Sequence, residues 1–230
     1  MAFQKEQKNC INCSCKAPLF KYLTSAELQK VNAHRYEIEY YGGEIIFKQN
    51  SPATHVLSFT QGLAKINLEH NEKRLILGII KPGTFIAGPG MHIDKRHHYS
   101  IVAMTDSKVC AIDQSAFIDV LRSNREFMTH YIEEINIAYL NLLNRIGNQA
   151  YKQVKGKVAD AILYLSENIF NNTFFRIPIS TREIAELSGV SHESAARTLK
   201  EFSLEKIISF NRQEMKIINL RQLKEISRVG

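Results

Sequence analysis

Proline and glycine are scarce in this sequence, at 5 and 11 of 230 residues. That excludes a fibrous or low-complexity chain. Long apolar runs are missing as well. The longest, Leu75-Ile76-Leu77-Gly78-Ile79-Ile80, is six residues, against the roughly 20 that a bilayer-spanning helix needs. The opening Met1-Ala2-Phe3-Gln4-Lys5-Glu6-Gln7-Lys8 has no apolar signal region. There is no phosphate-binding glycine loop, no G-x-S-x-G motif, and no C-x-x-C at a helix start in a βαβ unit. The expectation is a soluble, cytoplasmic protein that is not an enzyme and has no membrane partner.

What is present fits a globular chain. Apolar residues make up 44% and charged residues 23%, so general disorder is excluded. The length accommodates two modest domains, each with its own core. The net charge is +7, which permits a polyanionic partner without requiring one. Residues 151–230 carry 13 basic against 9 acidic side chains, more basic for their length than the rest.

Four cysteines are unevenly placed: Cys10, Cys13 and Cys15 are clustered, and Cys110 stands apart. A secreted disulfide scaffold spreads its cysteines. In a reducing compartment the cluster points to a metal, an iron–sulfur cluster or redox chemistry. A cysteine-based redox protein is the one alternative of another class, and no second motif supports it.

Residues 1–20 read as an arm carrying the cysteines. Residues 21–123 read as one unit. It opens on a capping box, Thr24-x-x-Glu27, ahead of a short helix. Short strands follow, with turn signals at Gly42-Gly43, Gln61-Gly62 and Lys81-Pro82-Gly83. This spacing predicts an antiparallel sandwich or roll. His92, His97 and His98 fall in a polar stretch between strands. They read as a solvated loop, with haem binding as the alternative. Residues 124–150 read as one helix, on which Met128, Ile132, Ile135, Tyr139, Leu142 and Ile146 follow a 4-3-4-3-4 spacing. That is a coiled-coil seam, and it predicts a dimerisation helix. Phe127, Tyr131, Ala138 and Leu143 supply a second apolar face, and Gly147 is a candidate hinge.

Residues 151–230 read as the second domain. A helix is expected from Val154 to Phe170. Ser180-Thr-Arg-Glu183 is a capping box, Gly189 permits a tight turn, and Ser191 caps a helix from His192 to Phe202. A strand, turn and strand follow from Ile207 to Ile218. That order is a winged helix-turn-helix. On the second helix Glu193 and Arg197 are four apart and share a face. Arginine clamps guanine O6 and N7, and glutamate accepts from cytosine N4. A surface ion pair between the two is the alternative. Ala196 is placed to touch a thymine methyl, His192 stands at the helix start, and Lys200 and Arg212 are phosphate candidates. The expected fold class is α+β: an antiparallel β-roll, a long dimerisation helix and a C-terminal winged helix-turn-helix.

The segment Ser180-Thr-Arg-Glu-Ile-Ala-Glu-Leu-Ser-Gly-Val-Ser-His-Glu-Ser-Ala-Ala-Arg-Thr-Leu-Lys-Glu-Phe202 resembles the DNA-binding signature of the Crp/Fnr family of bacterial transcription regulators. Gly42-Gly-Glu-Ile-Ile-Phe47, Phe59-Thr-Gln-Gly-Leu-Ala-Lys65 and Lys81-Pro-Gly-Thr-Phe-Ile86 resemble its cyclic-nucleotide-binding-like roll. The resemblance implies a homodimer on a pseudo-palindromic, double-stranded operator with a TGA-type core, and RNA polymerase as a further partner. It also implies a signal received at the roll. The family's cyclic-AMP binders carry a Glu and then an Arg-Ser/Thr pair, where this chain has Gly88 and His97-His98, which argues against cyclic AMP. The sensor region resembles the oxygen-sensing Fnr branch more closely. That branch implies a [4Fe-4S] cluster held by Cys10, Cys13, Cys15 and Cys110, although Cys15 comes sooner than its third cysteine. A zinc site, thiols without metal, and another small effector stay open.

Overall fold

The computed structural model describes residues 13, 16–71, 73–176, 178–211 and 214–230. They fall into two compact units. One comprises the described residues up to Ala64 together with Ile80–Ile137, and the other comprises Lys65–Ile79 with Ala138–Gly230.

After a 3-10 turn at Pro18–Tyr22 come α1 (Ser25–Ala33), β1 (Arg35–Tyr40), β2 (Ile45–Phe47), β3 (His55–Gln61), β4 (Ala64–His70) and β5 (Lys73–Ile80). Then follow β6 (Phe85–Ile86), a 3-10 turn at Pro89–His92, β7 (Ser100–Ala103), β8 (Ser107–Asp113), α2 (Gln114–Ser123) and α3 (Arg125–Tyr151). Within the first unit, β1, β8, β3 and β6 form one antiparallel sheet, with Ile38 opposite Val109 and Leu57 opposite Ala111. β2 pairs with β7 across a register shift between Ile45 and Phe47. Thr24 and Glu27 close their capping box, which starts α1 at Ser25.

The core of this unit is aromatic and aliphatic: Val56, Ile112, Phe117 and Phe127 are fully buried beside Leu19 and Phe20. Phe117 and Phe127 meet edge to face with centroids 5.9 Å apart, a favoured aromatic geometry. The 3-10 turn takes in the last residues of the expected 1–20 arm, so Ala17, Leu19 and Phe20 belong to the core and not to an arm. Gly62 has φ +84°, and a Cβ there would lie 2.4 Å from the Asp106 carbonyl oxygen and from Ser107 Oγ. Only glycine permits this approach of two turns.

α3 is unbroken from Arg125 to Tyr151 and passes through Gly147 without a break. Phe127 is buried, but every seam residue is open, from Met128 at 41% to Tyr139 at 58% exposure.

The second unit continues with α4 (Val154–Tyr164), a π-helical turn at Leu165–Phe170, β9 (Phe174–Arg176), α5 (Thr181–Ser188) and α6 (His192–Leu204). It ends in β10 (Ile208–Phe210), β11 (Glu214–Ile217) and α7 (Leu220–Val229). The single helix expected from Val154 to Phe170 thus changes pitch at Leu165. The buried Ser166 hydroxyl donates to the Asn172 carbonyl at 2.8 Å, and Asn171 ends the segment in the left-handed region at φ +50°. β10, β11 and β9 form a small antiparallel sheet with Met215 at its centre, opposite both Phe210 and Phe175. Among the described residues, no helix is long and apolar enough to cross a membrane.

Candidate nucleic-acid interface and sensor residues

The helix-turn-helix is assembled from local rules. Ser180 Oγ accepts from the Glu183 amide at 3.2 Å, and the Glu183 carboxylate accepts from the Ser180 amide at 2.8 Å. This capping box satisfies donors that the first turn of α5 would otherwise leave open. Gly189 ends α5 at φ +64°, where a glycine costs least. A Cβ on Gly189 would strike the Gln149 amide at 2.3 Å, and that amide donates to the Ser188 carbonyl at 2.7 Å. Ser191 Oγ then accepts from the Ser194 amide at 3.2 Å and starts α6.

α6 is sharply two-sided. Ala195, Leu199 and Phe202 are at most 4% exposed. They bind the helix to its unit and leave one outer face. On that face His192, Glu193, Arg197 and Lys200 are exposed, and Ala196 is half-buried beside them. Glu193 is held below its ordinary pKa by its own backbone amide, then by the Ser191 hydroxyl, at the positive end of the helix. Among the described residues no ion pair joins Glu193 to Arg197, so the expected alternative of a surface salt bridge is not realised. Arg212 lies outside the described residues. Two further exposed cations, outside the sequence expectation, stand on the same unit. Arg182, in the first turn of α5, has its side chain 79% exposed and is 3.6 Å from Glu186. Lys216 lies on the wing strand opposite Ser209. Both are signalled only by position within the motif.

The sensor residues divide differently. Gly88 has φ +67° and leads the turn Pro89–His92. His98 pairs with Asp94 at 3.2 Å, and His92 is exposed. His97 is not the solvated loop residue expected: it is half-buried and stacks on Phe47 with centroids 3.6 Å apart. Burial, and then the charge of His98, lowers its pKa, so it is held neutral. The Tyr99 and Tyr131 hydroxyls are each pushed up to about 12, mainly by burial, and for Tyr99 also by Tyr131. They are neutral hydrogen-bonding groups, one before β7 and one on α3.

Of the cysteines, Cys10 and Cys15 lie outside the described residues. Cys13 is half-buried. Cys110, on β8, is 8% exposed, and the Arg35 guanidinium donates to its Sγ at 3.4 Å. Among the described residues no group of three or more His, Cys, Asp or Glu side chains is arranged to hold a metal.

A roll of antiparallel strands, a long helix with an open apolar seam and a winged helix-turn-helix with one polar reading face define a DNA-binding regulator with a ligand-sensing domain. The comparisons agree. Residues 37–124 match the cyclic nucleotide-binding domain family, and residues 156–226 match the Crp-like helix-turn-helix domain family. The chain belongs to the Crp/Fnr family of transcription regulators.

It is 27% identical over 194 residues to the transcriptional regulatory protein btr of Bordetella pertussis, covering 80% of this chain and 78% of that protein. It is 23% identical over 196 residues to the cAMP-activated global transcriptional regulator CRP of Salmonella typhimurium, covering 83% and 93%. The fold is similar to that of FixK2 from Bradyrhizobium japonicum, with a TM-score of 0.76 at 18% identity over 85% of this chain and 98% of the other. A putative crp/fnr regulator from Eubacterium rectale has the same TM-score at 17% identity, over 92% and 98%. Members of this family are typically dimers, and the homologues are regulators and not enzymes.

Proposed function

We propose that this chain acts as a homodimer, paired along the α3 seam, that places the two copies of α6 in successive major grooves of a pseudo-palindromic duplex. The observation that carries this reading is the outer face of α6. Glu193 and Arg197 stand exposed one turn apart on a helix whose opposite face is buried. The spacing presents a carboxylate acceptor and a guanidinium fork together, which suits a G·C pair. His192 and Ala196 flank them. Lys200, Arg212, Arg182 and Lys216 are assigned to phosphates, which fix register and govern salt dependence. RNA polymerase is the further partner that the family implies. Fluorescence anisotropy with a palindromic TGA-core duplex and its scrambled counterpart tests this. The expected result is preference for the palindrome at every salt concentration. Equal affinity for both would reduce α6 to a phosphate-binding helix.

The signal is assigned away from cyclic nucleotides. The CRP relatives are cAMP-activated, but in this chain neither histidine at the corresponding place offers a fixed cation. His97 is held neutral against Phe47, and His98 is engaged by Asp94. A cyclic phosphate needs charge-assisted donors in that place.

A second reading is favoured by one specific contact. The Arg35 guanidinium donates to the Sγ of the buried Cys110, and a sulfur that accepts from a cation is a suitable starting point for a metal ligand. This fits the Fnr-branch assignment of Cys10, Cys13, Cys15 and Cys110 to a [4Fe-4S] cluster, which, when bound, would supply sensitivity to oxygen. The residues after the cysteine arm are anchored in the core, with Ala17 at 1% and Phe20 at 2% exposure. A change at the arm is thereby delivered to Phe127, in the first turn of α3. Zinc and metal-free thiols are the competing outcomes of iron analysis on protein purified without air.

A further inference from the structure

The β4–β5 pair belongs in chain order to the roll, yet residues 65–79 pack within the DNA-binding unit. Three contacts do this. Lys65 Nζ donates to Glu183 Oε1 at 2.6 Å, and both side chains are largely buried. Glu183 is the same residue whose other carboxylate oxygen closes the α5 capping box. Tyr164 Oη, on α4, accepts from the Ile79 amide at 2.9 Å. Arg145, on α3, joins the set. Its Nη2 donates to the carbonyls of Ile76 on β5 and of Leu187 at the end of α5, the latter at 2.6 Å, and its Nη1 donates to Leu77 at 3.3 Å.

Arg145 is a half-buried cation with no carboxylate among its hydrogen-bond partners given above. Its partners are carbonyl oxygens, one of them at the negative end of α5, where a cation is favoured. Burial lowers its pKa, with Tyr164 acting the other way, and its buried Nε has no acceptor among the described residues. A lysine could not replace it, because one ammonium does not reach three carbonyls spread over two elements as a planar fork does. Such an arrangement is costly unless it fixes a geometry.

We propose that Arg145 and Lys65 are positioning residues for DNA reading: they clamp the first helix of the helix-turn-helix, at both of its ends, to the β4–β5 pair. Lys65 holds the start of α5 through Glu183, and Arg145 holds its end through Leu187. α6 follows Leu187 after the three residues Ser188, Gly189 and Val190 and the Ser191 cap. The strands continue at Ala64 and Ile80 into the sensor unit. The pair is therefore one covalent route, beside α3, by which a change in the roll reaches the reading helix. This rests on the DNA-reading assignment above, so the test separates the two.

The experiment compares the full-length wild type with Lys65→Gln, Glu183→Gln, their double variant and Arg145→Lys. Glu183→Gln keeps the capping box, since glutamine serves at that position, and removes only the charge. Hydrogen exchange is read first, without DNA. The clamp predicts faster exchange of α5 and β5 amides together in Lys65→Gln, Glu183→Gln and Arg145→Lys, with β1 and β8 unchanged. Operator affinity is read second, with the TGA-core duplex. A loss of about tenfold is expected in each single variant, and the Lys65/Glu183 double variant should lose no more than either single, the signature of a shared interaction. Loosening of β5 with α5 unchanged would overturn the clamp. So would joint loosening with operator affinity intact, because the clamp would then not position α6. Joint loosening in a protein whose wild type prefers no duplex would retain the coupling and remove the DNA reading alone. Arg145→Lys is the variant most at risk of misfolding, and the Lys65 and Glu183 variants decide the matter without it.

Discussion

Asn124 is fastened to Glu27. Its side-chain amide donates to Glu27 Oε2 at 2.9 Å, while its carbonyl oxygen accepts from the Phe127 amide at 2.8 Å. One residue thus caps α3 and ties its start to the capping box of α1. Asn124→Ala should cost about 1–2 kcal/mol, at the upper end for a lost cap. Urea unfolding measures it. An unchanged midpoint would mean that water replaces both bonds without loss.

Arg197→Ala should weaken operator binding by about 1–3 kcal/mol, with the loss concentrated at one base pair. Duplexes substituted base by base reveal this. An equal loss on every sequence would reassign Arg197 to a phosphate.

Ile135→Asp places a charge in the middle of the α3 seam, where Ile135 is 47% exposed in the single chain. In a dimer that carboxylate would be buried without a partner. The expected outcome is a monomer by sedimentation velocity, with operator affinity largely lost. A wild type that is itself monomeric at micromolar concentration would remove the seam from the interface.

Cys110→Ser should abolish the iron content and the broad visible absorbance of anaerobically purified protein, because three ligands hold a cluster poorly. Equal iron in the variant and the wild type, or none in either, would leave Cys110 as a buried thiol beside Arg35.

Glu183 supplies a pH dependence. Burial works against its charge, but the Lys65 ammonium and the Ser180 donors outweigh burial and hold its pKa below the ordinary 4.5. A folded-state pKa below the unfolded value stabilises the fold above the unfolded pKa and is lost as pH falls through the folded one. Stability should therefore fall as the pH drops below the ordinary 4.5, and Glu183→Gln should flatten that part of the profile. Denaturation midpoints at stepped pH check the sign.

The parts of the molecule governed by neighbours in sequence were legible in advance. Thr24 with Glu27, Ser180 with Glu183, and Ser191 each start a helix where the pattern places them. The inward set Ala195, Leu199 and Phe202 follows from helical spacing alone. Elements that depend on distant partners were not legible. β9 exists because Phe175 pairs with Met215 about forty residues later. α2 and α7 are absent from the sequence expectation, and Asp113 and Asn219 cap them. The sequence predicts a solvated loop at His97 because its partner, Phe47, is on another strand. Arg145 leaves no trace in sequence at all, since its three acceptors are main-chain carbonyls that every residue possesses.

Gly62 has a consequence for variation in this chain. The Asp106 carbonyl and Ser107 stand where any Cβ would go. In a saturation library selected for operator binding, position 62 should be an empty column, with alanine as severely depleted as tryptophan. Intolerance there would register the closeness of two backbones, at a residue with no side chain to offer an effector or DNA, and a map of mutational sensitivity read for binding sites would mark it falsely.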